Sequence, residues 1–137
     1  MIPERLIAGR PATLEQILAR REARAAQQRE LLRSGGESLV SFSMNIPGAR
    51  KRFALEAFGF QRGCGALREA FGGCILSERS VSGVTGDELL LLLALDPMEA
   101  KKRTVALEQT HPLGRLWDMD VLDAQGNGIS RAALGVP

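Results

Sequence analysis

The chain has two cysteines, Cys64 and Cys74, a single histidine, His111, and no apolar run long enough to cross a membrane. Each scarcity closes a class. Two cysteines cannot build a disulfide framework, and their spacing is not the Cys-x-x-Cys of a zinc or redox site. Both read as small structural thiols. A membrane-spanning helix needs about 18–20 consecutive apolar residues. The longest run here, residues 89–95, has the length of a buried strand. Met1-Ile2-Pro3-Glu4-Arg5 leads into no apolar core followed by a small-residue cleavage site, so it does not read as a signal peptide. The expectation is a cytoplasmic protein with no membrane contact. Excess charge is also small. A net +2 is too mild for a general nucleic-acid binder, so no nucleic-acid partner is expected. No internal repeat or low-complexity tract is visible.

What is present fits one globular domain. With 137 residues, 45% apolar and 25% charged, the chain can bury a core but is too short for two ordinary domains. The reading is a single domain over residues 1–137, with a helical segment at 1–36 and a catalytic core at 37–137. Arginine strongly outweighs lysine, which favours bidentate recognition of phosphate or carboxylate.

Residues 13–33 read as a helix, opened by a capping box from Thr13 and Gln16 and stopped by Ser34-Gly35-Gly36. Leu14, Ile17, Leu18, Leu31 and Leu32 supply its apolar positions, while the middle is rich in Arg, Glu, Ala and Gln. Residues 39–45 read as a strand, ended by Pro47-Gly48. Residues 50–71 have helical propensity, with a break expected near Gly59, Gly63 and Gly65. Residues 75–81 and 88–95 form a candidate hairpin around a turn at 83–87. Asp96-Pro97 starts a helix that runs to about residue 109. Residues 115–122 form an acidic strand, 123–128 a turn, and 129–131 a short returning strand. The order is that of an α+β domain, with a mixed or largely antiparallel sheet and helices packed on one side. Residues 89–95, apolar on both faces, make the central strand.

The densest chemical signal is His111-Pro112-Leu113-Gly114-Arg115-Leu116-Trp117-Asp118-Met119-Asp120-Val121. Side chains alternate along a strand, so Asp118 and Asp120 share one face, with Cα atoms about 6–7 Å apart. Trp117, Met119 and Val121 take the other face, toward a core. Two carboxylates so placed can converge on one hard cation, as in a magnesium-dependent phosphoryl or nucleotidyl transferase. An Asp-x-Asp without its flanking block is more often a solvated acidic face of an edge strand.

That block resembles the holo-citrate lyase synthase family, the apo-citrate lyase phosphoribosyl-dephospho-CoA transferases. The resemblance rests on Glu108, His111 to Asp118, Asp120 and Val121, with a second match at Val40-Ser41-Phe42-Ser43-Met44-Asn45-Ile46-Pro47-Gly48. Gly86-Asp87-Glu88 and Ile129-Ser130-Arg131 match more weakly. The resemblance implies a nucleotidyltransferase-like fold and a defined reaction. A serine of the apo acyl carrier subunit of citrate lyase attacks the α-phosphorus of 2′-(5″-triphosphoribosyl)-3′-dephospho-CoA, and diphosphate leaves. A related transferase serves malonate decarboxylase, and a non-catalytic carrier-binding module is the alternative from a different class. The resemblance also implies a short Arg- and Cys-containing tail, which has no counterpart after Gly135-Val136-Pro137.

In that reaction Asp118 and Asp120 are the expected Mg²⁺ ligands. Gly114 would allow close approach to phosphate, and Arg115 would clamp the triphosphate if the strand begins after it. His111 is a candidate base or phosphate ligand, or a residue that shapes the turn. Glu108 is either a metal-adjacent acid or an exposed helical glutamate. Arg50, Lys51 and Arg52 are candidate phosphate contacts, and Arg131 would reach the site from the strand paired with the acidic one. Arg20, Arg21, Arg24 and Arg29 offer a docking face for an acidic carrier protein, or simply a soluble helix face.

Overall fold

A computed structural model describes residues 13–45, 53–82 and 86–135. Helix α1 (Leu14–Arg33) begins at the expected capping box. The Thr13 hydroxyl accepts from the Gln16 N–H at 3.1 Å, and the Gln16 side chain accepts from the Thr13 N–H at 2.9 Å. Strand β1 (Ser38–Met44) follows, then helix α2 (Phe53–Phe71) and a 3₁₀ turn (Gly72–Cys74). Strands β2 (Ile75–Val81) and β3 (Glu88–Leu93) form the hairpin. Helix α3 (Pro97–Thr110) is capped by Asp96, whose carboxylate accepts from the N–H groups of Met98 and Glu99. A second 3₁₀ turn (Gly114–Leu116) leads into strand β4 (Trp117–Asp123), and a third (Arg131–Leu134) follows it.

The four strands are ordered β2-β3-β1-β4, and every neighbouring pair is antiparallel. β3 is internal, as its two-sided apolarity requires, and β4 is an edge. The register sorts the residues into two faces. On one face lie Val40, Phe42 and Met44, with Leu89 and Leu91 of β3 and Trp117, Met119 and Val121 of β4. Cys64, Leu67 and Phe71 of α2 and Ala100 of α3 complete this core. The other face changes along its length. Leu39, Leu92 and Leu122 form an apolar row, next come Ser41, Leu90 and Asp120, and last Ser43, Glu88 and Asp118. Helix α1 covers this second face. Its Leu31 packs with Leu39, Leu90 and Leu92, and its Gln28 donates to the Ser41 hydroxyl at 3.2 Å.

Four expectations change. The helices lie on both faces of the sheet, because the second face carries an apolar row that only α1 can bury. Helix α2 runs unbroken through Gly59, Gly63 and Gly65. Two of those glycines are there for close packing: a Cβ on Gly59 would lie 2.4 Å from Met44 Cε, and one on Gly63 2.2 Å from Phe42 Cζ. Residues 129–131 do not form a strand. After β4 the chain returns through an isolated Leu122–Gly128 bridge, with the Asp123 N–H donating to the Asn127 carbonyl and the Ile129 N–H to the Val121 carbonyl, before the 3₁₀ turn begins at Arg131. Leu14, Ile17 and Leu18 are exposed rather than packed. The Pro47-Gly48 strand end and most of the expected 83–87 turn lie outside the described residues. Among the described residues no helix is long and apolar enough to cross a membrane.

Candidate active site

Strand β4 begins at Trp117, so it contributes three residues to the core face and leaves Asp118 and Asp120 exposed on the other. Across the ladder Asp118 pairs with Ser43 and Asp120 with Ser41. Desolvation raises the Asp120 pKa first, and the Asp118 charge raises it further. Lys101 of α3 opposes this. It is buried, its Nζ donates to the Met119 carbonyl at 3.4 Å, and its charge favours ionised Asp120.

This acid pair is composed of hard oxygen donors on one face of a strand. Those are the properties of a Mg²⁺ site, which needs only one or two carboxylates because phosphate oxygens and water complete its octahedron. The residues therefore fit the ion. Among the described residues no group of three or more His, Cys, Asp or Glu side chains converges as a metal cage.

A cavity of about 550 Å³ opens beside Asp118, between the end of α3, the turn Gly114–Leu116, the start of β4 and Arg131. Asn45, Glu108, Gln109, His111, Gly114, Arg115 and Trp117 also line it. Arg115 belongs to the 3₁₀ turn, which frees it from the strand's alternation and allows it to share the cavity with Asp118. Gly114 has a structural reason in this fold. A Cβ there would lie 2.1 Å from the Glu108 carbonyl oxygen, so only glycine lets the turn fold back on the helix end.

His111 is the C-cap of α3, and its ring lies 4.4 Å from the Trp117 ring, tilted by 41°. Its Nδ1 accepts from the Leu113 N–H at 3.0 Å. In the neutral ring the proton then sits on Nε2, so His111 offers a donor. Trp117 is fixed from the other side, where its indole N–H donates to the Gly59 carbonyl at 3.0 Å.

Glu108 is not an exposed glutamate. One oxygen accepts from the Met119 N–H at 3.1 Å, and the other pairs with Arg131 at 2.8 Å. It thereby fixes the outer edge of β4 between the two aspartates. Arg131 reaches the cavity from a 3₁₀ turn and not from a paired strand. Arg50, Lys51 and Arg52 lie outside the described residues.

The proposed arginine docking face divides. Arg21 and Arg29 are exposed, whereas Arg20 and Arg24 turn inward and pair with Glu88. Sequence reasoning missed Lys101, Asn45 and this inward role. A signal existed for the arginines: Arg20, Arg24 and Gln28 recur every four residues, which places them on one helix face.

Comparison with known proteins agrees along the whole chain. The family model described as apo-citrate lyase phosphoribosyl-dephospho-CoA transferase matches residues 12–137. Curated relatives bearing that name in Escherichia coli strain SMS-3-5 and in Shigella boydii serotype 18 are each 33% identical over 140 aligned positions. The match covers 100% of this chain and 76% of each relative.

Proposed function

Because the chain belongs to the apo-citrate lyase phosphoribosyl-dephospho-CoA transferase family, we propose that it is the transferase that loads apo-citrate lyase with its prosthetic group. The donor is 2′-(5″-triphosphoribosyl)-3′-dephospho-CoA, and the acceptor is a serine of the acyl carrier subunit. The serine oxygen forms a bond to the α-phosphorus. The bond from that phosphorus to the β-phosphate bridging oxygen breaks, diphosphate carries away the electron pair, and the hydroxyl proton passes to solvent. Such a displacement depends on positioning and on neutralising oxyanion charge.

The observation that supports this chemistry is the placement of Asp118 and Asp120, both exposed, on one face of β4, with Asp118 lining a cavity that Arg115 also lines. Mg²⁺ held by the two carboxylates would neutralise phosphate oxygens and acidify the attacking hydroxyl. Arg115 binds phosphate oxygens from the cavity wall as a two-pronged donor. His111 donates from Nε2 to the same anionic group. Glu108, tied to Arg131 and to the β4 backbone, keeps the acid strand in position.

Incubation with the donor, Mg²⁺ and the apo-acyl carrier subunit of citrate lyase tests the reading by intact mass. The carrier is expected to gain one phosphoribosyl-dephospho-CoA group and to release one diphosphate. A carrier that stays unmodified overturns the assignment. Transfer to the malonate decarboxylase carrier alone replaces the acceptor and keeps the chemistry.

A further inference from the structure

Two arginines of α1 share one carboxylate beneath the helix. Arg20 and Arg24 both pair with Glu88, whose side chain is only 6% exposed, while their own side chains are 16% and 32% exposed. Two guanidinium groups carry ten N–H donors, far more than one carboxylate can absorb. The Nε of Arg24 is buried and has no hydrogen-bond acceptor among the described residues.

The position of these donors matters as much as their number. Glu88 lies in the same cross-strand row as Ser43 and Asp118, with Ser43 between the two acids. Burial and the neighbouring Arg20 lower the Arg24 pKa, while the charges of Asp120 and Asp118 act on it in the opposite direction, which marks the acid pair as within its electrostatic reach. A polar patch therefore runs across the sheet face, with a cation-seeking acid pair at one end and surplus guanidinium donors at the other. A polyphosphate is the ligand that uses both: a metal at the acids and N–H donors on the terminal phosphates.

We propose that Arg24, supported by Arg20 and set by Glu88, is a substrate-binding residue for the β- and γ-phosphates that leave as diphosphate. It stabilises the charge that gathers on the leaving oxygen as the α-phosphorus bond breaks. Helix α1 is then part of the active site and not a docking appendage. The proposal rests on the transferase reading, but its binding half can be tested without turnover.

The probe is magnesium diphosphate, titrated calorimetrically into the full chain. The variants are Arg24→Ala, Arg24→Lys and, as an exposed charge control on the same helix, Arg33→Ala. Arg24→Ala is expected to weaken diphosphate binding at least about 10-fold and to lower kcat/KM for the donor about 100-fold, with the KM for carrier unchanged. Arg24→Lys keeps a charge toward Glu88 but lacks the fork, so it recovers only part of both losses. Arg33→Ala matches the parent. Should Arg24→Ala fail to fold, Arg24→Lys alone decides, because unchanged diphosphate affinity in it overturns the proposal. Folded variants of Arg24 that bind diphosphate and turn over donor like the parent overturn it as well. If the parent transfers nothing yet loses diphosphate binding on Arg24→Ala, the transferase reading falls and the polyphosphate site stands.

Discussion

The two faces of this sheet come from the same four strands, yet they are held by different physics. Beneath α2 and α3 the face is apolar and dry. Phe42 stacks on Phe60 at 5.2 Å and meets Trp117 edge-on at 6.3 Å. Helix α2 comes so near that a Cβ at Gly63 would run into the Phe42 ring. The Cys64 thiol buried there is pushed up to about 11, mainly by desolvation. Beneath α1 the face is apolar for one row and charged for the next two. The helix is held by a leucine at one end and by ion pairs to Glu88 at the other. A dry face fixes the strands in space. A charged face uses that rigidity to hold like charges close together, an arrangement that clusters at functional sites.

The contrast breaks most sharply at Asp118. Asp118→Asn keeps the shape but removes a ligand charge, so transfer is expected to fall by at least about 1,000-fold, on the order of 4 kcal/mol in the barrier. Its melting temperature should not fall below the parent's, because the same carboxylate repulsion is relieved, and carrier binding should persist. A variant that still transfers at more than a tenth of the parental rate would place the chemistry elsewhere. On the dry face the loss moves from rate to stability. Leu91 is fully buried in the internal strand, and Leu91→Ala is expected to cost about 2–5 kcal/mol in chemical denaturation. Activity per folded molecule should remain near parental, which separates the two faces in a single pair of assays.

The dry face was largely legible in the sequence. Alternation at Trp117, Met119 and Val121 gave the buried side of β4, and the leucine run gave an internal strand. Capping chemistry at Thr13 and Asp96 fixed two helix starts because it is local. The glycines of α2 misled because helix propensity counts their entropic cost and not the sheet they approach. The acid pair was legible from a period of two. The four-residue recurrence of Arg20, Arg24 and Gln28 places them on one helix face but does not say which face turns inward, since an Arg that faces a buried glutamate and one that faces water look alike until Glu88 is known to lie beneath the helix. Glu108 posed the same problem: its partners, the Met119 N–H and Arg131, lie 11 and 23 residues away.

The smallest effect tests the cost of the charged face directly. Burial and the Asp118 charge raise the Asp120 pKa. The folded state therefore holds a proton there more tightly than the unfolded chain does. Between the ordinary carboxylate pKa and the raised one, stability falls as pH rises, because the folded state alone must give up that tightly held proton. Asp120→Asn removes the repulsion, so its melting temperature should exceed the parent's at neutral pH, and the decline with pH should flatten. Added Mg²⁺ should raise the parent's melting temperature and leave the variant's nearly unchanged, since a ligand that binds only the folded state stabilises only a site that can bind it. Scanning calorimetry over a pH series, with and without Mg²⁺, reads all three. A variant that melts below the parent, with the same slope and the same response to Mg²⁺, would mean that the acid pair is already neutralised within the fold and needs no ion.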